Sequence, residues 1–165
     1  MTDLTPEFLS LAPKAMYDLR RAFNMKPEDA AAIVGNAGHE SGGFKYYHQI
    51  GMDPNNPACG LGWFQWSGAR HVAFKNYCEL HGYAPMSPEA SMHYLISELM
   101  GIYHYVLPPL QKAKTLYDKV AAFEKYYEAA GVPAISSRFL WADKALRLPV
   151  SVYGIIYDPE KEVSS

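Results

Sequence analysis

Apolar residues recur at helical spacing along almost the whole chain. The recurrence breaks only once, over a stretch too rich in Gly, Pro, Asn and Asp for regular structure. That pattern predicts a mainly α protein with one long loop. The first helix is expected over residues 6–23, where Phe8, Ala12, Ala15, Leu19 and Ala22 mark one apolar face. A second opens at Pro27, whose ring suits a first helical turn, and stops at Gly42 and Gly43. Glu28 and Asp29 complement its positive start, and Glu40 falls at its carboxyl end. Residues 44–62 form the loop, centred on Asp53, Pro54, Asn55, Asn56 and Pro57. Long loops in compact domains tend to carry function.

Ser67 is expected to cap a helix reaching about Leu80. Ser87 and Pro88 begin another, with Met92, Leu95, Ile96, Leu99 and Tyr103 as its stripe, ending before Pro108 and Pro109. Thr115 with Asp118 three residues on resembles a capping box. It opens a helix with Leu116, Val120, Phe123 and Tyr127 on one face, ended by Gly131 and Pro133. A last helix is expected over residues 137–146, then a short extended segment over 150–157 and a frayed tail over 160–165. The division is a main domain over residues 1–150 and a C-terminal segment and tail over 151–165.

The 165 residues suffice for one domain with a sizeable core, and 49% hydrophobic against 19% charged residues is an ordinary globular balance. Fifteen Lys and Arg against seventeen Asp and Glu leave a net charge of −2, so no cationic excess exists to hold nucleic acid. The longest apolar run, residues 30–34, is far below the roughly 20 residues of a membrane span. Asp3 and Glu7 stand where a secretory signal would be basic, so synthesis in a cytoplasm is expected. Cys59 and Cys78 read as free thiols. Neither a G-x-x-x-x-G-K nor a G-x-G-x-x-G nucleotide fingerprint occurs.

Two motifs carry chemistry. In Gly38-His39-Glu40-Ser41-Gly42-Gly43 a carboxylate meets the negative end of a helix, beside glycines that admit close approach. That position, with aromatic surface nearby, is expected to raise the Glu40 pKa and so keep the proton that glycosidic cleavage requires. The plainer reading is a solvated glutamate. In Gly60-Leu61-Gly62-Trp63-Phe64-Gln65-Trp66-Ser67-Gly68, aromatic rings suit sugar faces and the Gln65 amide suits hydroxyl and acetamido groups. The plainer reading of Trp63, Phe64 and Trp66 is core.

Glu40-Ser41-Gly42, followed by Gly62-Trp63-Phe64-Gln65-Trp66 and Gly68-Ala69-Arg70, resembles the phage tail lysozyme family of the lysozyme-like superfamily. The similarity continues through Phe123-Glu124-Lys125-Tyr126-Tyr127-Glu128, Pro133, Arg138 and Ala142, covering about residues 31–146. It implies a single lysozyme-like domain that cleaves peptidoglycan between N-acetylmuramic acid and N-acetylglucosamine. Glu40 is then the general acid, and Ser41, Gln65, Trp66, Tyr127 and Glu128 contact the sugar. Residues 62–65 are similar to the Gly-Leu-Met-Gln element of goose-type lysozymes and lytic transglycosylases, with both middle positions aromatic here.

Asp53 lies 13 residues after Glu40, an offset similar to that of an accessory aspartate in goose-type enzymes, where it would hold a nucleophilic water. It is equally good turn chemistry before Pro54. Glu98 reads as structural, and Glu124 and Glu128 as solvent-facing neighbours, with Glu128 nearer the cleft. Without a second carboxylate, attack by the muramic 6-hydroxyl would give an anhydro product, as in lytic transglycosylases. The rival enzyme class is a zinc amidase or endopeptidase using His39, His48, His71, His81, His93 or His104, but no His-Glu-x-x-His spacing occurs. A third reading is a non-catalytic wall-binding virion protein gripping glycan through Trp63, Trp66 and thirteen tyrosines.

The expectation is a monomer that needs no cofactor or metal, inserts in no membrane and has glycan strands as its partner. It would be made in a host cytoplasm and act at the wall in the periplasm, as a phage endolysin or a tail-associated lysin.

Overall fold

The helices begin where proline and hydroxyl caps permit and end where glycine reverses the chain. The structure, a computed structural model, describes residues 3–158. Helix α1 (Pro6–Ala22) starts at Thr5, whose hydroxyl accepts the Phe8 N–H at 3.0 Å and donates to the Gly43 carbonyl at 2.5 Å. One residue thereby caps α1 and pins the end of α2 (Pro27–Ser41), which closes at Gly42 in the left-handed conformation (φ 59°). The others are α3 (Ala69–His81), α4 (Pro88–Met100), α5 (Leu107–Lys112), α6 (Leu116–Phe123) and α7 (Ile135–Arg147). Helices make up about 60% of the chain and no strand occurs among the described residues, so this is a mainly α single domain.

Helix α2 is the axis of the fold. Every residue from Asp29 to Gly38 is buried, and α1, α6 and α7 pack around it, as an all-round apolar helix requires. At Gly35 the approach is closest: a β-carbon there would lie 2.4–2.6 Å from Ala142 side-chain and backbone atoms. Gly35→Ala is therefore expected to cost about 1–3 kcal/mol by forcing α2 and α7 apart. The matching fall in the thermal midpoint, about 2–4 °C per kcal/mol, is measurable by circular dichroism.

Buried polar groups tie the elements at fixed points. Lys119 on α6 pairs with Asp29 at 2.7 Å and donates to the Leu110 and Gln111 carbonyls at 3.3 Å, joining α2, α5 and α6. Asp18 on α1 accepts the N–H groups of Ile155, Ile156 and Tyr157 at 2.8–3.1 Å. That clamp holds residues 151–158 against α1, so the expected extended segment is an irregular stretch of bends. The expected tail over 160–165 lies outside the described residues.

Three other expectations change. Ser67 is exposed and does not cap α3, which begins at Gly68 in a conformation with positive φ (63°) after the Leu61–Trp66 bridge. Pro108 and Pro109 open α5 rather than only ending α4, because a first helical turn has no use for their missing N–H groups. After α6 the chain continues as a five-residue π-helical turn, Glu124–Glu128, in which the Ala129 N–H reaches back to the Glu124 carbonyl at 2.6 Å. Cys59 and Cys78 are buried and unpaired.

Candidate active site

Glu40 sits in the last turn of α2 with its side chain 19% exposed, and its Oε1 accepts a hydrogen bond from Arg138 Nη2 at 2.6 Å. Arg138, on α7, is 1% exposed. Its fork is filled by three acceptors, two on α2 and one on the stretch before α7: Nη2 by Glu40, Nη1 by Asn36 Oδ1 at 3.1 Å and Nε by the Pro133 carbonyl at 2.7 Å. A buried guanidinium is tolerable only when so satisfied, which makes Arg138 the fixed point against which Glu40 is held. Beside it, His39 Nδ1 shares a 2.7 Å hydrogen bond with Ser137 Oγ. Burial and then the Arg138 charge push the His39 imidazole below its ordinary value, with Glu40 opposing.

Glu128 ends the π-helical turn. Its Oε1 is shut off from solvent and has no hydrogen-bond partner in the structure. Burial and then the neighbouring Glu40 charge push this carboxyl well above the usual carboxylate range; Arg138 and Arg70 pull it down and Glu124 adds to the rise. The sequence placed the retained proton on Glu40. The structure instead gives Glu40 a guanidinium partner and gives Glu128 the shielded oxygen.

Under the turn lies a polar network. Tyr127, 1% exposed, donates its hydroxyl to Glu98 Oε1 and accepts the Trp66 Nε1–H at 3.1 Å. Arg70 donates to the same Glu98 oxygen at 3.0 Å and to the Tyr127 carbonyl at 2.9 Å. Its guanidinium also lies over the Tyr103 and Tyr127 rings, 4.6 and 4.5 Å from their centroids. Burial, then the Glu98 charge, pushes the Tyr127 hydroxyl far above its ordinary value, so it stays a donor.

The sequence-derived contacts divide accordingly. Ser41 is wholly buried, its hydroxyl donating to the Ala37 carbonyl and accepting the Phe44 N–H, so it finishes α2 rather than facing a ligand. Trp66 and Tyr127 are core residues supporting the site from behind, for the same reason: their polar atoms find each other inside. Trp63 and Phe64 are core as well, with Trp63 Nε1 donating to the Tyr47 hydroxyl. Gln65 is half-buried in a left-handed conformation (φ 51°), its amide donating to the Gly62 carbonyl. Asp53 is exposed and its Oδ1 accepts the Asn55 N–H at 2.9 Å, an Asx turn. Glu124 is not solvent-facing: it is buried and accepts the Ala130 N–H.

Sequence reasoning passed over Arg138 and Arg70 as site residues, along with three partly exposed rings. Tyr46 folds over Gly42 at the end of α2, and Tyr105 donates to the carbonyl of Tyr126 beside the π-helical turn. Cavities of about 520, 410 and 560 Å³ lie on other faces, lined by α1 with residues 148–152, by α3 with Asn55 and Pro57, and by α4 with Ile156. Among the described residues no three His, Cys, Asp or Glu side chains converge on one point, and no helix is long and apolar enough to cross a membrane.

Residues 12–148 match the model of the phage tail lysozyme family, and no curated protein matches the chain. The match spans most of the chain, which belongs to that family.

Proposed function

From membership of the phage tail lysozyme family, which brings a lysozyme-like activity on peptidoglycan, we infer a glycosidase acting between N-acetylmuramic acid and N-acetylglucosamine. Glu40 is the carboxyl group that meets the glycosidic oxygen. The observation that carries this reading is a partly exposed glutamate held by a buried arginine, with burial and the Glu40 charge pushing a second carboxyl, Glu128, well above the usual carboxylate range. Glycosidic cleavage needs one proton for the leaving oxygen and negative charge facing the oxocarbenium-like centre, and this arrangement supplies both.

Gln65 and the partly exposed Tyr46, Tyr105 and Tyr126 are assigned to sugar contact because their polar or aromatic faces are open, while the buried Trp66 and Tyr127 are assigned to the floor behind them. Asp53 is assigned a turn role because its carboxylate is engaged by its own loop. The protein acts at the wall, carried by a virion tail or released as a lysin.

Mass spectrometry of muropeptides released from purified peptidoglycan tests the reading. Products with muramic acid reducing ends are expected. Anhydro-muramic ends would instead make the enzyme a lytic transglycosylase, and cleaved stem peptides with intact glycan would overturn the glycosidase assignment.

A further inference from the structure

We propose that His39 is a positioning residue for Glu40, acting through its hydrogen bond to Ser137 to hold the first turn of α7 and, with it, Arg138. The proposal rests on the glycosidase reading above, in which Glu40 is the group so positioned.

Consecutive side chains cross-link the two helices at the site. His39 Nδ1 meets Ser137 Oγ at 2.7 Å, and the next residue along each helix makes the next link, Glu40 Oε1 to Arg138 Nη2 at 2.6 Å. Both links join residues 98 apart in the chain, so a shift of α7 against α2 strains the two together.

Arg138 needs the second link because of where it stands. Helix α7 begins after Ala134, which is in the left-handed conformation (φ 49°) and has no side-chain acceptor to offer the first N–H groups. A helix start without a cap frays. Ser137 and Arg138 both lie in that first turn. Arg138 Nε on the Pro133 carbonyl steadies it, and so does the His39 bond to Ser137, which does not use Arg138 at all.

The link also suits the charges around it. Burial and then the Arg138 charge hold the His39 imidazole below its ordinary value, so near neutrality the ring is uncharged. It neither repels Arg138 nor competes with it for Glu40. A neutral ring can bond the Ser137 hydroxyl with Nδ1 as acceptor or as donor, so the link stands in either tautomer. The Glu40 carboxylate meets Arg138 through one oxygen, so freedom in the α7 turn passes to the carboxyl that meets the glycosidic oxygen. Misplacing a reacting group by about 1 Å can cost about 10²-fold in rate.

Ser137→Ala removes the link with the least disturbance, and Ser137→Thr keeps the hydroxyl. The first readout is hydrogen exchange at the Arg138 Nε–H, followed by ¹⁵N NMR on the full chain. Exchange about 10-fold faster in Ser137→Ala, and like the parent in Ser137→Thr, is expected. Unchanged exchange in a folded Ser137→Ala protein would overturn the proposal. The second readout is cleavage of purified peptidoglycan. Ser137→Ala and His39→Ala should each lower kcat about 3- to 10-fold with KM within about two-fold. The double substitution should be little worse than either single one, because the same link is lost in all three. A lower thermal midpoint with kcat per folded molecule unchanged would make the contact structural only and refute the positioning role. If the unsubstituted protein releases only stem peptides, the glycosidase reading fails, and the exchange result still judges whether His39 and Ser137 hold Arg138.

Discussion

Glu40→Gln is expected to abolish nearly all glycan cleavage while the helical circular dichroism spectrum stays that of the parent. General acid–base groups typically contribute about 10²–10⁴-fold, so kcat should fall by that order. The substitution is well matched for the purpose. A glutamine Oε1 still accepts from Arg138 Nη2, so the three-way seating of Arg138 on Asn36, Pro133 and position 40 keeps its geometry. What is lost is the ability to release and recover a proton. Muropeptide release from purified peptidoglycan, followed by mass spectrometry, is the direct measurement. Undiminished release would assign the chemistry to some other group.

Arg138→Ala is expected to be the most damaging single change to the fold. It removes a buried cation and strands Asn36 Oδ1, the Pro133 carbonyl and Glu40 Oε1 without their donors. Breaking a buried pair from one side costs about 3–5 kcal/mol. For a chain of this size that corresponds to a thermal midpoint lower by about 6–20 °C. Arg138→Lys should recover only part of the loss, because an ammonium is a point charge and cannot reproduce a planar fork serving three acceptors. A midpoint within a degree of the parent for Arg138→Ala would show that the network carries little stability.

The features that could be read from sequence are the local ones. Pro6, Pro27 and Pro88 stand at helix starts and Gly42 at a helix end because those positions reward the residue's own backbone chemistry. Thr115 capped α6 as expected, accepting the Asp118 N–H. The features that escaped depend on partners far along the chain. Arg138 takes its role from Asn36 and Glu40, about 100 residues away, and nothing in the α7 stretch itself shows those acceptors. Trp66 and Tyr127 passed for sugar-facing groups because an aromatic with a polar tip suits either a cleft or a core. The mutual hydrogen bond between them decides for the core. Pro108 and Pro109 misled for the opposite reason: a proline that ends one helix is equally able to begin the next.

The π-helical turn at Glu124–Glu128 has one more consequence. An α-helix advances about 100° per residue, and a turn closed five residues apart holds one residue more than the ordinary four. Shortening this turn by one position would re-phase everything beyond it by about 100°, turning the terminal carboxyl out of its shielded position. The spacing of the backbone thus fixes which side chains the turn buries, and length variation there should be far less forgiving than side-chain exchange.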